Sequence, residues 1–239
     1  MSALPPVCVS HLLIGRAVAY GPNGEPSAID KHPVAGPLAL HITGFAGDQQ
    51  GDTRHHGGLD KAIHHYPAEH YRAWRNALPE LSGERFSVGG FGENISTRGI
   101  TEQDVCVGDI FALGSATLQV TQARQPCWKL NLRFGSPLMA RQVQESGRTG
   151  WYYRVLEEGT ISPGDLLRLR ERPLPDWPLA KLLHYLYSEP LNRGALGTIA
   201  GLTPLALSWR ELAERRLSSG QVEPWTRRLE TPAHTPPIE

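Results

Sequence analysis

Cys127 stands in the run QARQPCWKLNLRF, Gln122 to Phe134, and this is the stretch whose residue types could do chemistry. A thiol binds metals or attacks as the thiolate, and nearby cations favour that form. Arg124, Lys129 and Arg133 supply positive charge close by in sequence. Proline cannot donate to a β-ladder and biases the residue before it towards extended backbone. The strand that SATLQVTQ predicts by its alternation should therefore end near Gln125 and leave Cys127 at a strand-to-helix elbow. A single cysteine is also a common small buried hydrophobe, so the residue types alone leave both readings open.

Gly51 to Trp74, GDTRHHGGLDKAIHHYPAEHYRAW, is the second rich stretch. His55-His56-Gly57-Gly58 reads as a polar loop of permissive backbone. Paired glycines reach positive φ and bring amide N–H groups close to a ligand. Lys61 follows within reach, and an ammonium is a good point-charge partner for phosphate. This is an anion-cradle pattern, but GxxxxGK[ST] is absent, so it is not a nucleotide P-loop. His64, His65 and His70 raise the question of zinc, yet there is no HExxH and no cysteine at a ligand spacing. Ser27 and Lys31, in PSAIDK, could be binding groups or simply turn chemistry and a solvated charge. Glu93 and Asn94 could be buried hydrogen-bonding groups at a strand start, or Asn94 could fix a turn.

The elements that must position these residues are short. The chain has 239 residues, 40% of them hydrophobic, so it can build a sizeable core. Its 25 glycines and 20 prolines favour a loop-rich, strand-rich fold over a helical bundle. From Val7 to Arg170 short alternating runs are broken by turn signals, with brief helices at AEHYRAWRNAL and PLMARQVQESG; this predicts a partly closed barrel. Val107 to Phe111 reads as a turn entering a strand and Ala116 to Thr121 as the next strand, and the glycine between them makes a hairpin. Pro173 to Pro178 reads as a linker. LAKLLHYLY, about Asn192 to Ala200, and Pro204 to Leu217 then read as amphipathic helices. The expected divisions are a barrel over 7–172, a three-helix unit over 177–219, and a partly disordered tail over 220–239. Some 45 residues make a weak independent core, so the helices should dock on the barrel or on a partner.

Lys+Arg and Asp+Glu both number 24, which argues against a nucleic-acid or membrane partner and leaves any anion site to a local cluster. The three cysteines, Cys8, Cys106 and Cys127, are odd in number and widely spaced, so neither a disulfide framework nor a zinc ribbon is expected. Reduced thiols in a cytoplasmic setting are the simplest reading. The start of the chain is read as neither a secretory signal nor a membrane span. Cys8 and Cys106 have no motif around them and read as packing residues.

Taken together, PSAI…K, HHGGLDKAIHHYP, FGENISTRGITEQDVCVGDIF, LQVTQARQPCWKLN and GRTGWYYRVLEEG resemble the MOSC-domain proteins of the YiiM type, over nearly the whole chain. The resemblance implies a mainly β fold, a MOSC-type β-barrel with short peripheral helices followed by a small three-helix C-terminal domain. It implies a molybdenum cofactor (molybdopterin), with Cys127, the cysteine after the proline, as the protein's metal ligand. It implies reduction of small N-hydroxylated compounds, such as hydroxylaminopurine-type base analogues, with electrons from a separate flavin or iron–sulfur reductase. A thiolate suits a soft, sulfur-rich coordination sphere, and Arg124 with Lys129 would help hold its charge. Ser27, Lys31, the Gly57 and Gly58 amides, Lys61 and Arg124 become candidate donors to the pterin and its phosphate. Asn94 offers both donor and acceptor. His56 is the candidate proton carrier, because imidazole changes charge near neutral pH. His65 reads as structural. A sulfur or cofactor carrier would need the same activated thiol, and an inert interaction domain would bury it; a homodimer is left open.

Overall fold

The computed structural model describes residues 4–52, 57–81 and 85–234. Glycine and proline punctuate the first 171 residues so often that the strands are short. In chain order they are β1 (Val7–Cys8), β2 (His11–Ile14), β3 (Val18–Ala19), β4 (Pro26–Ser27), β5 (His32–Val34), β6 (Leu38–His41) and β7 (Gly44–Phe45). Then follow β8 (Ile63–Pro67), β9 (Ile95–Thr97), β10 (Ile110–Leu113), β11 (Ala116–Ala123), β12 (Trp151–Glu157), β13 (Gly159–Ile161) and β14 (Leu166–Glu171). Nine of them form one curled sheet in the order β1-β14-β10-β11-β12-β8-β9-β2-β5. Only β8 and β9 pair in parallel within it. The expected hairpin is β10–β11, with Ile110 opposite Gln119 and Leu113 opposite Ala116. The result is the mainly β, half-barrel architecture expected.

Three helices cover one side of the sheet: α1 (Glu69–Ala77), α2 (Lys129–Phe134) and α3 (Met139–Ser146). Gly135 and Gly147 stop α2 and α3 in the left-handed region, at φ 67° and 69°, where a glycine has no Cβ to clash. Beneath these helices lies an aromatic cluster. Tyr66 stacks on Phe91 with ring centroids 4.2 Å apart, and Phe86 on Phe134 at 4.7 Å.

After the linker come α4 (Leu179–Tyr187), α5 (Arg193–Ala200) and α6 (Leu207–Ser219), then a short α7 (Thr226–Leu229). The three-helix unit shares the sheet's own core. Leu182, Leu186, Ile199, Leu205 and Trp209 belong to the same buried cluster as Val105, Val107, Phe111 and Leu118. Full burial of each such leucine contributes about 1.5–3 kcal/mol, which is why the small bundle docks instead of standing alone. Backbone bonds fasten the seam: Leu179 N–H donates to Val105 O (2.8 Å), Val107 N–H to Trp177 O (3.0 Å) and Ala206 N–H to Thr121 O (3.0 Å). None of the described helices is long and apolar enough to cross a membrane.

Candidate active site

β11 carries the candidate thiol to its place. It alternates inward and outward from Ala116 to Val120, then shifts register against β12 between Val120 and Gln122. Val120 and Ala123 both reach the core although three positions separate them, because a bulge inserts one residue and bends the strand. Arg124 falls on the opposite face, where it lines a pocket. Its N–H donates to Gly150 O (2.9 Å), next to the last rung of the β11–β12 ladder. Pro126 donates nothing, and Leu130 N–H bonding Cys127 O (3.0 Å) opens α2. Cys127 thus sits at the strand-to-helix elbow the sequence predicts.

The pocket holds about 570 Å³ of space, mouth included. Segments remote in sequence build it: Ser27 to Ile29 with Lys31, Asp48 to Gly51, Lys61, His64, Phe91, Gly92 and Asn94, Arg124, Cys127, Lys129 and Tyr152. Lys31, Lys61, Arg124 and Lys129 face a single lining carboxylate, Asp48, among the described residues. A neutral chain therefore concentrates positive charge where the thiol lies. Gly51 lets the Asp48–Gly51 loop lie flat against β4; a Cβ there would come within 2.4 Å of Pro26 O.

The cations are not equivalent. Lys31 Nζ pairs with Asp48, and Asp48 also accepts from Asn94 Nδ2 (2.8 Å) and Gly15 N–H (2.8 Å). Asn94 further donates to Leu13 O (3.2 Å) and accepts from His64 N–H (3.1 Å). Lys31 and Asn94 thus frame the wall. Lys129 Nζ donates to Pro26 O (2.5 Å), and Ser27 Oγ accepts from Ile29 N–H (3.3 Å). Arg124 is 6% exposed, and its Nη1 is buried with no hydrogen-bond partner among the described residues. A buried unpaired guanidinium nitrogen is costly, so this donor is a candidate to meet a ligand in the pocket. Burial pulls Lys61 below the usual lysine range, against the charges of Asp60 and Cys127.

Of the residues singled out from sequence, Ser27, Lys31, Lys61, Asn94, Arg124 and Cys127 line this one pocket. Gly57 and Gly58 do not; they lead into the turn Leu59–Lys61, whose Lys61 N–H bonds Gly58 O (3.0 Å). His56 lies outside the described residues. Cys8 is exposed, which corrects its reading as a packing residue, while Cys106 is buried as expected. β1 is an edge strand, and the side chain of Cys8 points away from the core.

Asp48 and Tyr152 line the pocket without having stood out in the sequence, and His64, considered there only as a zinc ligand, lines it too. Tyr152 had a usable signal: Trp151 and Tyr153 point into the core, so the residue between them must face the other way. Asp48 had none, since its partners lie 17, 33 and 46 positions away. Burial, followed by the Arg124 charge, drives His64 well below its ordinary pKa, so a neutral ring faces the pocket. His65 is structural. It is fully buried between Tyr153 OH (3.0 Å) and Thr97 Oγ1 (2.8 Å), and burial lowers its pKa to about 3. His70 pairs with Glu102 (2.7 Å).

Residues 52–168 match the family model for the MOSC domain, and residues 177–220 match that for the YiiM-like 3-alpha helix domain. Protein YiiM of Escherichia coli (strain K12) is 39% identical over 215 residues, 90% of this chain and 95% of that protein. The chain belongs to the YiiM-type MOSC-domain family. The crystal structure of YiiM from Escherichia coli superposes with a TM-score of 0.80 at 32% identity, covering 95% of this chain and 99% of that one. A protein of Gibberella moniliformis (strain M3125 / FGSC 7600) named "Reductase" is 36% identical over 86% of this chain, which spans only 36% of that protein.

Proposed function

We propose that the pocket holds a pterin-type molybdenum cofactor, with Cys127 as the protein's sulfur ligand, and that the chain reduces N-hydroxylated compounds to amines. The observation that carries this reading is the meeting, in a cation-lined pocket, of Cys127 with the buried Nη1 of Arg124, which has no hydrogen-bond partner among the described residues. These residues fit such a group: a soft thiolate for molybdenum, and charge-assisted donors for a phosphate and polar rings. The relative named "Reductase" supports the class of reaction.

In this reading Cys127 holds the metal, while Arg124 and Lys129 help to keep its sulfur as thiolate. Arg124 Nη1, Lys61 Nζ and Ser27 Oγ bind the cofactor's polar periphery. Asp48 fixes Lys31 and Asn94 in the wall, so those two shape the pocket instead of moving with the ligand. When bound, the cofactor supplies two-electron reductive chemistry: R–NH–OH, two electrons and two protons give R–NH2 and water. A separate flavin or iron–sulfur reductase supplies the electrons, and hydroxylaminopurine-type bases are the proposed substrates. His56, next to Gly57, is the proposed proton carrier.

Molybdenum and pterin analysis of protein made in a host that synthesises the cofactor, followed by a hydroxylaminopurine reduction assay, tests this. Stoichiometric cofactor with turnover is expected. Full turnover by the loaded Cys127→Ser variant would remove Cys127 from its role, and cofactor passed to a recipient without turnover would favour a carrier.

A further inference from the structure

The tail beyond α6 crosses back to the elbow, and it lies outside both matched spans, 52–168 and 177–220. One residue on it, Arg228, holds both peptide groups that flank Cys127. Its Nη1 donates to Pro126 O (2.6 Å), and its own carbonyl accepts from Trp128 N–H (2.7 Å). Its Nη2 donates to Gln144 Oε1 on α3. The guanidinium lies 5.8 Å from the Tyr187 ring of α4.

The tail is anchored on either side of this contact. Upstream, buried Arg216 holds Glu223 through Nε (2.9 Å) and Nη2 (2.6 Å), and Trp225 Nε1 donates to Glu223 (3.0 Å). Downstream, Leu229 is 2% exposed among Leu130, Phe134 and Val143, and Asn131 Nδ2 donates to Leu229 O (2.8 Å). Arg227, the adjacent arginine, is exposed.

We infer that Arg228 is a positioning residue, which clamps the Pro126–Cys127–Trp128 backbone so that the thiol meets the pocket at a fixed angle. The inference rests on the reading of Cys127 as the ligand. Proline removes one backbone donor from the elbow and the helix has not yet begun, so local structure alone restrains Cys127 poorly. The rigid planar fork of arginine reaches two separated acceptors from two different nitrogens, which the single nitrogen of lysine cannot do.

The test compares Arg228→Gln and Arg228→Lys with Arg227→Gln, which removes the same charge one position away. Leu212→Ala, in the three-helix core, serves as a variant of lowered stability. Hydrogen exchange on the full chain without cofactor reads the clamp; molybdenum content after purification reads its consequence. Both Arg228 variants should raise exchange of the segment 126–131 at least about 10-fold with the sheet unchanged, and lower molybdenum retention about 10- to 100-fold, the usual range for groups that orient a ligand. Arg227→Gln should match the wild type. Exchange in Arg228→Gln that matches Arg227→Gln, or equal molybdenum loss in Leu212→Ala, overturns the clamp. The exchange arm needs no cofactor. A wild-type chain that never takes up molybdenum would therefore sink the proposed function while exchange still decides the clamp.

Discussion

Cys106 and Cys127 are both buried thiols, 3% and 8% exposed, in opposite settings. Cys106 sits in the seam between the sheet and the three helices. Its N–H donates to Asp109 Oδ2 (2.9 Å), and Asp109 is closed off by Arg172 through Nε (2.9 Å) and Nη2 (2.6 Å). Burial, followed by the Asp109 charge, pushes the Cys106 thiol up to about 11. Around Cys127 four cations face one lining carboxylate, and Arg124 keeps a buried Nη1 without a hydrogen-bond partner among the described residues. Burial by itself therefore says little about a cysteine. The sign of the neighbouring charge, and whether the neighbours' hydrogen bonds are already made, set the packing thiol apart from the pocket thiol proposed as a ligand.

The contrast can be broken most sharply at the thiol itself. Cys127→Ser should cost more than the roughly 100-fold typical of supporting residues in molybdenum content and turnover, with stability changed by less than about 1 kcal/mol; metal analysis beside urea unfolding decides. Asp109→Ala should do the reverse. It removes the carboxylate that Arg172 pairs with, leaving that guanidinium only Asp104 O (2.8 Å), and should cost about 3 kcal/mol, the low end for a broken buried pair, with cofactor content and turnover per folded molecule unchanged. A fall in turnover there would mean that the seam and the pocket are not separate.

Arg124→Met removes the unused donor and should weaken cofactor retention about 10- to 100-fold. Because Nη1 has no partner to lose among the described residues, the unfolding midpoint should move little. The smallest effect concerns pH. The Cys106 thiol titrates near 9 when unfolded and at about 11 when folded. Its contribution is thus fully present below pH 9 and is lost as pH rises towards 11, where the unfolded chain releases its proton first. Cys106→Ala should flatten this part of the stability profile, measured by urea unfolding between pH 8 and pH 11.

Much of the chemistry-bearing elbow was legible because its causes are local. Proline ended the ladder, alternation marked β11, and glycines stopped α2 and α3. The helices over Leu179–Tyr187 and Arg193–Ala200 were legible for the same reason. The meeting of Ser27, Lys31, Lys61 and Asn94 with Cys127 came from resemblance, since nothing in their spacing brings them together. Asp48 was invisible: an aspartate after a glycine looks like any turn residue until its three partners surround it. The tail looked like loose chain, because Thr226 to Leu229 is too short to announce a helix.

What the amino-acid order determined alone is the list of local elements and the placement of a cysteine just past a strand end. Those follow from backbone sterics and side-chain periodicity over a few residues. Only the tertiary structure decided that, among the described residues, four cations and one carboxylate line the pocket beside that cysteine, and that a tail one hundred residues downstream grips the backbone on both sides of it. Electrostatic balance and hydrogen-bond satisfaction are properties of neighbours in space, and the curl of the sheet chooses the neighbours.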